Sequence, residues 1–155
     1  HTRCARWSRG LGDVYKRQAL AILLPVVAGQ SGNTGAQALA VTMRGLALRE
    51  IRARQWPRVV FKEMAAGFWN GIAIAATTSL GVWAWSQSLG LAAVIAVSMV
   101  LSMVIAGIFG AAIPLVLTAI KQDPAQSSSI VLTTVTDVAG FFSFLGIATA
   151  FSAML

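Results

Sequence analysis

Charged residues are sparse along this chain, and the stretches between them are apolar. Residues 19 to 43 and 64 to 120 contain no Asp, Glu, Lys or Arg, and 124 to 155 contain only Asp137. A helix needs about 20 apolar residues to cross a bilayer, so the second of these runs must hold two crossings. The stretch Ser86-Gln87-Ser88-Leu89-Gly90 is the natural divider. The pattern predicts an all-α membrane protein, a bundle of four transmembrane helices at about 19–46, 64–86, 89–120 and 127–155. A membrane barrel would instead need alternating segments of about 10 residues, and none is present.

Composition agrees with this. Hydrophobic residues make up 57% of the 155 and charged residues 11%, with a mean hydropathy of +0.74. Soluble domains carry about 25% charge, which argues against a soluble fold with a buried core. Cys4 is the only cysteine, so no intrachain disulfide can form.

The net charge of +7 is unevenly spread. Arg44, Arg49, Arg52, Arg54, Arg58 and Lys62 crowd the connection between the first two helices, and Lys121 lies between the third and fourth. These two connections fall on one side, which the positive-inside rule makes cytoplasmic. The uncharged turn at 86–90 and the C-terminus then face outward. The lipid bilayer is the expected partner, and no nucleic acid is.

Residues 1 to 18 break the rule, being basic on the side that should be external. They have no apolar core of a signal peptide and no initiating Met, and the end GDVYKRQ resembles a translated cloning junction. The segment is read as a non-native junction or unstructured segment, with a native basic, lipid-binding arm as the alternative. The membrane domain is then residues 19–155.

Small residues recur four apart at Gly67/Gly71 and at Ala106/Gly110. Such pairs let helix backbones approach closely in lipid and predict packing faces; a glycine hinge is the alternative. Trp69, Trp83 and Trp85 read as interfacial anchors. Pro114 should kink the third helix, and Lys121-Gln122-Asp123-Pro124 reads as a turn. No enzyme is expected: His1 is the only histidine, and an intramembrane aspartyl protease would need two membrane aspartates.

Asp137 falls about 10 residues into the last helix, or ~15 Å, near the midplane of a ~30 Å hydrocarbon core. An ionised carboxylate there costs at least ~2.5 kcal/mol, so it should face a polar cavity or a cation. Ser129, Thr133 and Thr134 precede it by eight, four and three residues and share its face, opposite Leu132, Val135 and Phe142. A protonated Asp137 that merely ties helices together is the alternative.

The first helix carries LPVVAGQSGNTGAQ at residues 24–37. Gly29, Gly32 and Gly35 should expose backbone carbonyls, Asn33 and Gln37 add amide oxygens, and Pro25 should loosen the helix. Polar backbone at membrane depth is viable only where it lines water or protein. Ion passage is the favoured reading of this stretch, and interhelical hydrogen bonding the plain one. Oxygen ligands with one carboxylate and no Cys or His suit a hard cation such as magnesium, which keeps most of its waters.

At these residues the chain resembles a known family. PVVAGQSGNTGAQALAVTMRGLALREI, residues 25–51, is similar to the second transmembrane helix of MgtE-type magnesium channels, with its pattern Pro-x6-Gly-Asn-x-Gly-x-Gln. TTVTDVAGFFSFLGIATAF, residues 133–151, is similar to their fifth. The resemblance implies a homodimeric, five-helix membrane domain in the bacterial inner (plasma) membrane that passes hydrated Mg2+. The pore would be lined by the first and last helices of this chain. Asp137, Asn33, Thr133 and Thr134 would contact the hydrated metal, and Gly32, Gly35, Gln37, Ser129 and Thr136 would line the path. Lys62-Glu63 stands where the family often has Arg-Glu, which makes Glu63 a further, cytoplasmic-side candidate.

A counterpart of the family's first helix and of its cytosolic regulatory domains is missing, so a fragment or a reduced relative is expected. The functional alternatives are an ion-coupled secondary transporter and a non-conducting membrane assembly subunit.

Overall fold

The computed structural model describes the backbone of residues 2–51 and 55–151, and the side chains of 18–51, 55–125 and 128–151. Four helices follow one another: α1 (Thr2–Ala47), α2 (Trp56–Ser86), α3 (Leu89–Ala119) and α4 (Pro124–Ala150). No strand occurs among the described residues.

The predicted divisions hold, and the helix starts differ. α2 begins at Trp56 rather than 64 because Pro57 opens its first turn and Arg58, Lys62 and Glu63, assigned to the connection, are compatible with helix. Trp69 consequently lies in mid-helix, while Trp83 and Trp85 remain near the end. α4 starts at Pro124, where Asp123 Oδ1 accepts from the Ala125 N–H at 2.9 Å as a cap. α1 continues back to Thr2, through a stretch with no proline. The side chains of residues 1–17 lie outside the described residues, and with them the reading of that segment as a junction. Residues 152–155, expected to end the last helix, lie outside as well.

α1 and α3 both end in a left-handed residue. Arg49 (φ 57°) and Lys121 (φ 61°) reverse the chain, while Glu50 N–H bonds Gly45 O (2.9 Å) and Gln122 N–H bonds Leu117 O (2.9 Å). These bonds satisfy carbonyls that a bare helix end would leave open. Between α2 and α3, Gln87 is left-handed and Ser88 Oγ accepts from the Leu91 N–H, so the break falls inside the expected 86–90 divider.

α3 is the hub, packed against all three other helices, whereas α1 scarcely meets α2. The core gathers Leu23 and Val27 of α1, Val94, Ile95 and Met99 of α3, and Phe144 of α4. Around it the helices touch through glycine. A side chain at Gly67 would begin 2.5 Å from the Met103 carbonyl oxygen, and one at Gly107 2.5 Å from that of Glu63. At Gly71 it would begin 3.0 Å from Val100 Cα. Gly110 stands in the same relation to the Gly35 carbonyl oxygen of α1, at 2.5 Å, and Ala106 is fully buried. The expected packing faces are therefore real contacts, made between backbones rather than between apolar side chains.

Among the described residues, α3 and the Ser128–Ala150 stretch of α4 are long and apolar enough to cross a membrane. α1 and α2 are diluted by polar residues, in α1 chiefly by the Gln30–Gln37 stretch.

Replacing Gly67 or Gly107 by leucine is expected to lower stability in detergent by about 1–3 kcal/mol, because the atom it meets is backbone. Gly81→Ala, with open space around it, should cost nothing and stabilise by up to about 1 kcal/mol. Thermal unfolding followed by helical circular dichroism measures both.

Candidate functional site

The polar stretch of α1 is helical from end to end. No glycine adopts positive φ, and the helix continues through Pro25. The expectation of a loosened backbone offering carbonyls is thus corrected: the Pro25 ring removes one N–H, and the turns beyond it close normally. Oxygens on this helix that can face outward come from side chains.

Helical periodicity sorts those side chains. Ser31, Thr34, Gly35, Ala38 and Thr42 are buried, while Gly29, Asn33, Ala36, Gln37 and Ala40 are exposed. Ser31 Oγ donates to Ala28 O (2.9 Å) and lies 3.3 Å from Thr136 O across the α4 interface. A side chain at Gly140 would meet Ala28 Cα at 3.2 Å, and one at Gly35 would meet Thr136 Cγ2 at 3.1 Å and Leu132 Cδ1 at 3.2 Å. α1 and α4 are therefore adjacent and antiparallel, with Ala28 beside Gly140, Ser31 beside Thr136 and Gly35 beside Leu132. That register sets Gln30 at the level of Asp137 and Asn33 at the level of Thr134.

On α4, Ser129, Thr133 and Thr134 are exposed and Asp137 is half-buried. Thr133 Oγ1 donates to Ser129 O (2.9 Å) and Thr134 Oγ1 to Ile130 O (3.0 Å). Each hydroxyl proton is committed to its own helix, so the outward lone pairs act as acceptors, suited to the outward-pointing protons of a cation's aqua ligands. Among the described residues no three His, Cys, Asp or Glu side chains converge, so a cation on this face would meet a single carboxylate and neutral oxygens.

Two expected lining residues fall elsewhere. Thr136 is 1% exposed, its Oγ1 donates to Thr133 O at 3.1 Å, and it packs on Gly35, which is also buried. Both belong to the α1–α4 contact, since Cβ direction at these positions points each residue at the neighbouring helix. Gly32 is half-buried near Thr136 Oγ1. The opposite-face assignment holds for Leu132, which is buried, while Val135 is half-buried and Phe142 is exposed to the outside of the bundle. Gln30 fell within the stretch read as serving ion passage but was not singled out there; its match to Asp137 depends on helix register, which a single chain does not encode locally.

Glu63 lies apart from this face, one residue before the span expected at 64–86. It is buried where α2 crosses α3 and lines a cleft of about 240 Å3 with Glu50, Gln55, Arg58 and Lys62. Burial pushes its carboxyl above the usual range, and the Lys62 ammonium draws it partly back. No residue of α4 lines this cleft.

A profile of MgtE, described as a divalent cation transporter, matches residues 24–147. The chain belongs to the MgtE family. It is 35% identical over 133 residues to the magnesium transporter MgtE of Bacillus subtilis, covering 86% of this chain and 30% of that protein. With the magnesium transporter MgtE of Thermus thermophilus it shares 36% over 130 residues, 84% of this chain and 29% of the relative. The magnesium transporter MgtE of Enterococcus faecalis is 29% identical over 138 residues, 89% of this chain and 30% of its own length. The chain thus spans about 30% of the length of these MgtE relatives. The matched region contains the whole α1–α4 contact described above.

In a Cys4→Ser background in membrane vesicles, Asn33→Cys and Thr133→Cys are expected to react with a water-soluble thiol reagent, and Thr136→Cys to be protected. Equal labelling of Thr136→Cys would contradict its burial against α1.

Proposed function

We propose that this chain is the membrane part of a divalent-cation channel or transporter, with magnesium as its cargo. Hydrated Mg2+ passes along the exposed faces of α1 and α4, the face being completed by a second copy related by a two-fold axis along the membrane normal. All four helices cross the bilayer, with the basic α1–α2 connection cytoplasmic, in a bacterial inner membrane. Asp137 supplies the negative charge. Thr133, Thr134, Asn33 and Gln30 accept hydrogen bonds from the waters of the ion, with Gln37 and Ser129, which the same register sets at one level, continuing the polar lining toward the α1–α2 connection.

The observation that carries this reading is the antiparallel α1–α4 register. It sets an amide-bearing face level with a hydroxyl-and-carboxylate face, neither covered by the rest of the chain. Magnesium sheds its shell reluctantly and is commonly bound through retained waters, so one carboxylate among neutral acceptors suits it better than a closed ligand cage. A midplane carboxylate held next to a permeating cation also avoids the penalty of a bare charge in lipid. A coupled transporter would be expected to break a helix at its binding site. α1 keeps its ladder through the polar stretch.

Mg2+ influx into vesicles containing the reconstituted protein is expected to fall by more than about tenfold with Asp137→Ala, equivalent to ~1.4 kcal/mol. Asp137→Glu should retain part of the flux, and Ser31→Ala, inside the helix contact, should alter it little. Unchanged flux and selectivity in Asp137→Ala would remove this reading.

A further inference from the structure

At the end of the bundle that carries the basic connection, a second feature stands clear of α1 and α4. A groove of about 300 Å3 runs between the first turns of α2 and the last turns of α3, lined by Trp56, Val60, Ala112, Leu115, Val116 and Ala119. Every lining residue is aliphatic or aromatic, and Trp56 and Val116 are each more than half exposed. Nothing in the described chain covers them.

With α3 centred in the bilayer, its length sets where this groove meets the membrane. α3 has 31 residues, about 46 Å of helix against a hydrocarbon core of ~30 Å, which leaves about 8 Å at each end in the headgroup layers. The groove occupies the last two turns and straddles the boundary between acyl chains and headgroups, where Trp56 is the residue type that settles. Two residues beyond Ala119 stands the exposed, left-handed Lys121. Two of the last α3 carbonyls are turned into the helix end, Thr118 O accepting from Lys121 N–H and Leu117 O from Gln122 N–H. Asp123, the nearest acid in sequence, is held as the α4 cap at 2.9 Å from Ala125 N.

We propose that this groove binds one acyl chain of an anionic phospholipid of the cytoplasmic leaflet, with its phosphate on Lys121. The apolar walls take the chain, the ammonium takes the charge, and both face the leaflet in which anionic headgroups meet basic protein segments. A neutral phospholipid could fill the same walls but would leave Lys121 unmatched. Arg58 and Lys62 belong to the polar cleft that also holds Glu50 and Glu63, so Lys121 is the basic side chain that distinguishes the groove.

The test is Trp56 fluorescence in the full chain reconstituted in phosphatidylcholine vesicles. These are doped with equal fractions of brominated phosphatidylglycerol or brominated phosphatidylcholine. Trp56→Phe isolates the Trp56 contribution from the other four tryptophans. Quenching by the brominated anionic lipid is expected to exceed that by the neutral one, and Lys121→Gln to reduce this preference about fivefold, equivalent to ~1 kcal/mol for one basic residue at the surface. Arg58→Gln, the same change in charge on the cleft side, should leave it intact.

Equal quenching by both lipids would mean ordinary annular lipid and overturn the proposal. An equal loss in both variants would mean a diffuse surface potential and do the same. Absence of quenching by either lipid would mean that protein covers the groove, and would also overturn it.

Discussion

In lipid, two helices gain little by hiding leucines from one another, so what holds them is the closeness with which their backbones fit. In this chain that closeness is concentrated on α3. Gly107 admits the Glu63 carbonyl and Gly67 the Met103 carbonyl, which fixes α2; Gly110 admits the Gly35 carbonyl, which fixes α1. α4 is held by α3 and by the Gly140–Ala28 contact with α1. Take away the glycines and the helices could still form, but α1 and α4 would have no defined register, and the faces bearing Asn33 and Asp137 would not meet at one level.

The division of labour along α1 follows from that constraint. A helix forced against both α3 and α4 needs small residues on two sides, and Gly35, Ala38 and Ser31 supply them. The remaining face is free to be polar, because it touches neither neighbour. The same logic separates Thr136 from Thr133: three residues apart, one fills the notch above Gly35 and the other looks outward. A motif such as Gly-Asn-x-Gly-x-Gln therefore mixes two functions, with its glycines serving contact and its amides serving the exposed face.

Much of this was legible before any coordinates. The uncharged runs located all four helices, the spacing of Gly67 and Gly71 located a contact, and the lone carboxylate at 137 drew attention to α4. What was not legible depended on partners distant in sequence. Charge on Arg58 and Lys62 hid the first two turns of α2, because a loop and a helix end extending beyond the lipid have similar composition. Thr136 was expected to line the path, because nothing in the local pattern says on which side of it α1 packs. Gln30, inside the stretch read for ion passage, was not matched to Asp137 because its level is set by residues more than a hundred positions away.

The hydroxyls of Thr133 and Thr134 have one further consequence. Since each gives its proton to a carbonyl one turn back, these two hydroxyls offer lone pairs and no donors. Chloride or phosphate at these two hydroxyls would meet lone pairs and depend on the neighbouring amides for donors, whereas an aquated metal would present its outer protons to them. On the function proposed above, two neutral side chains thus share with the aspartate the discrimination by sign of charge.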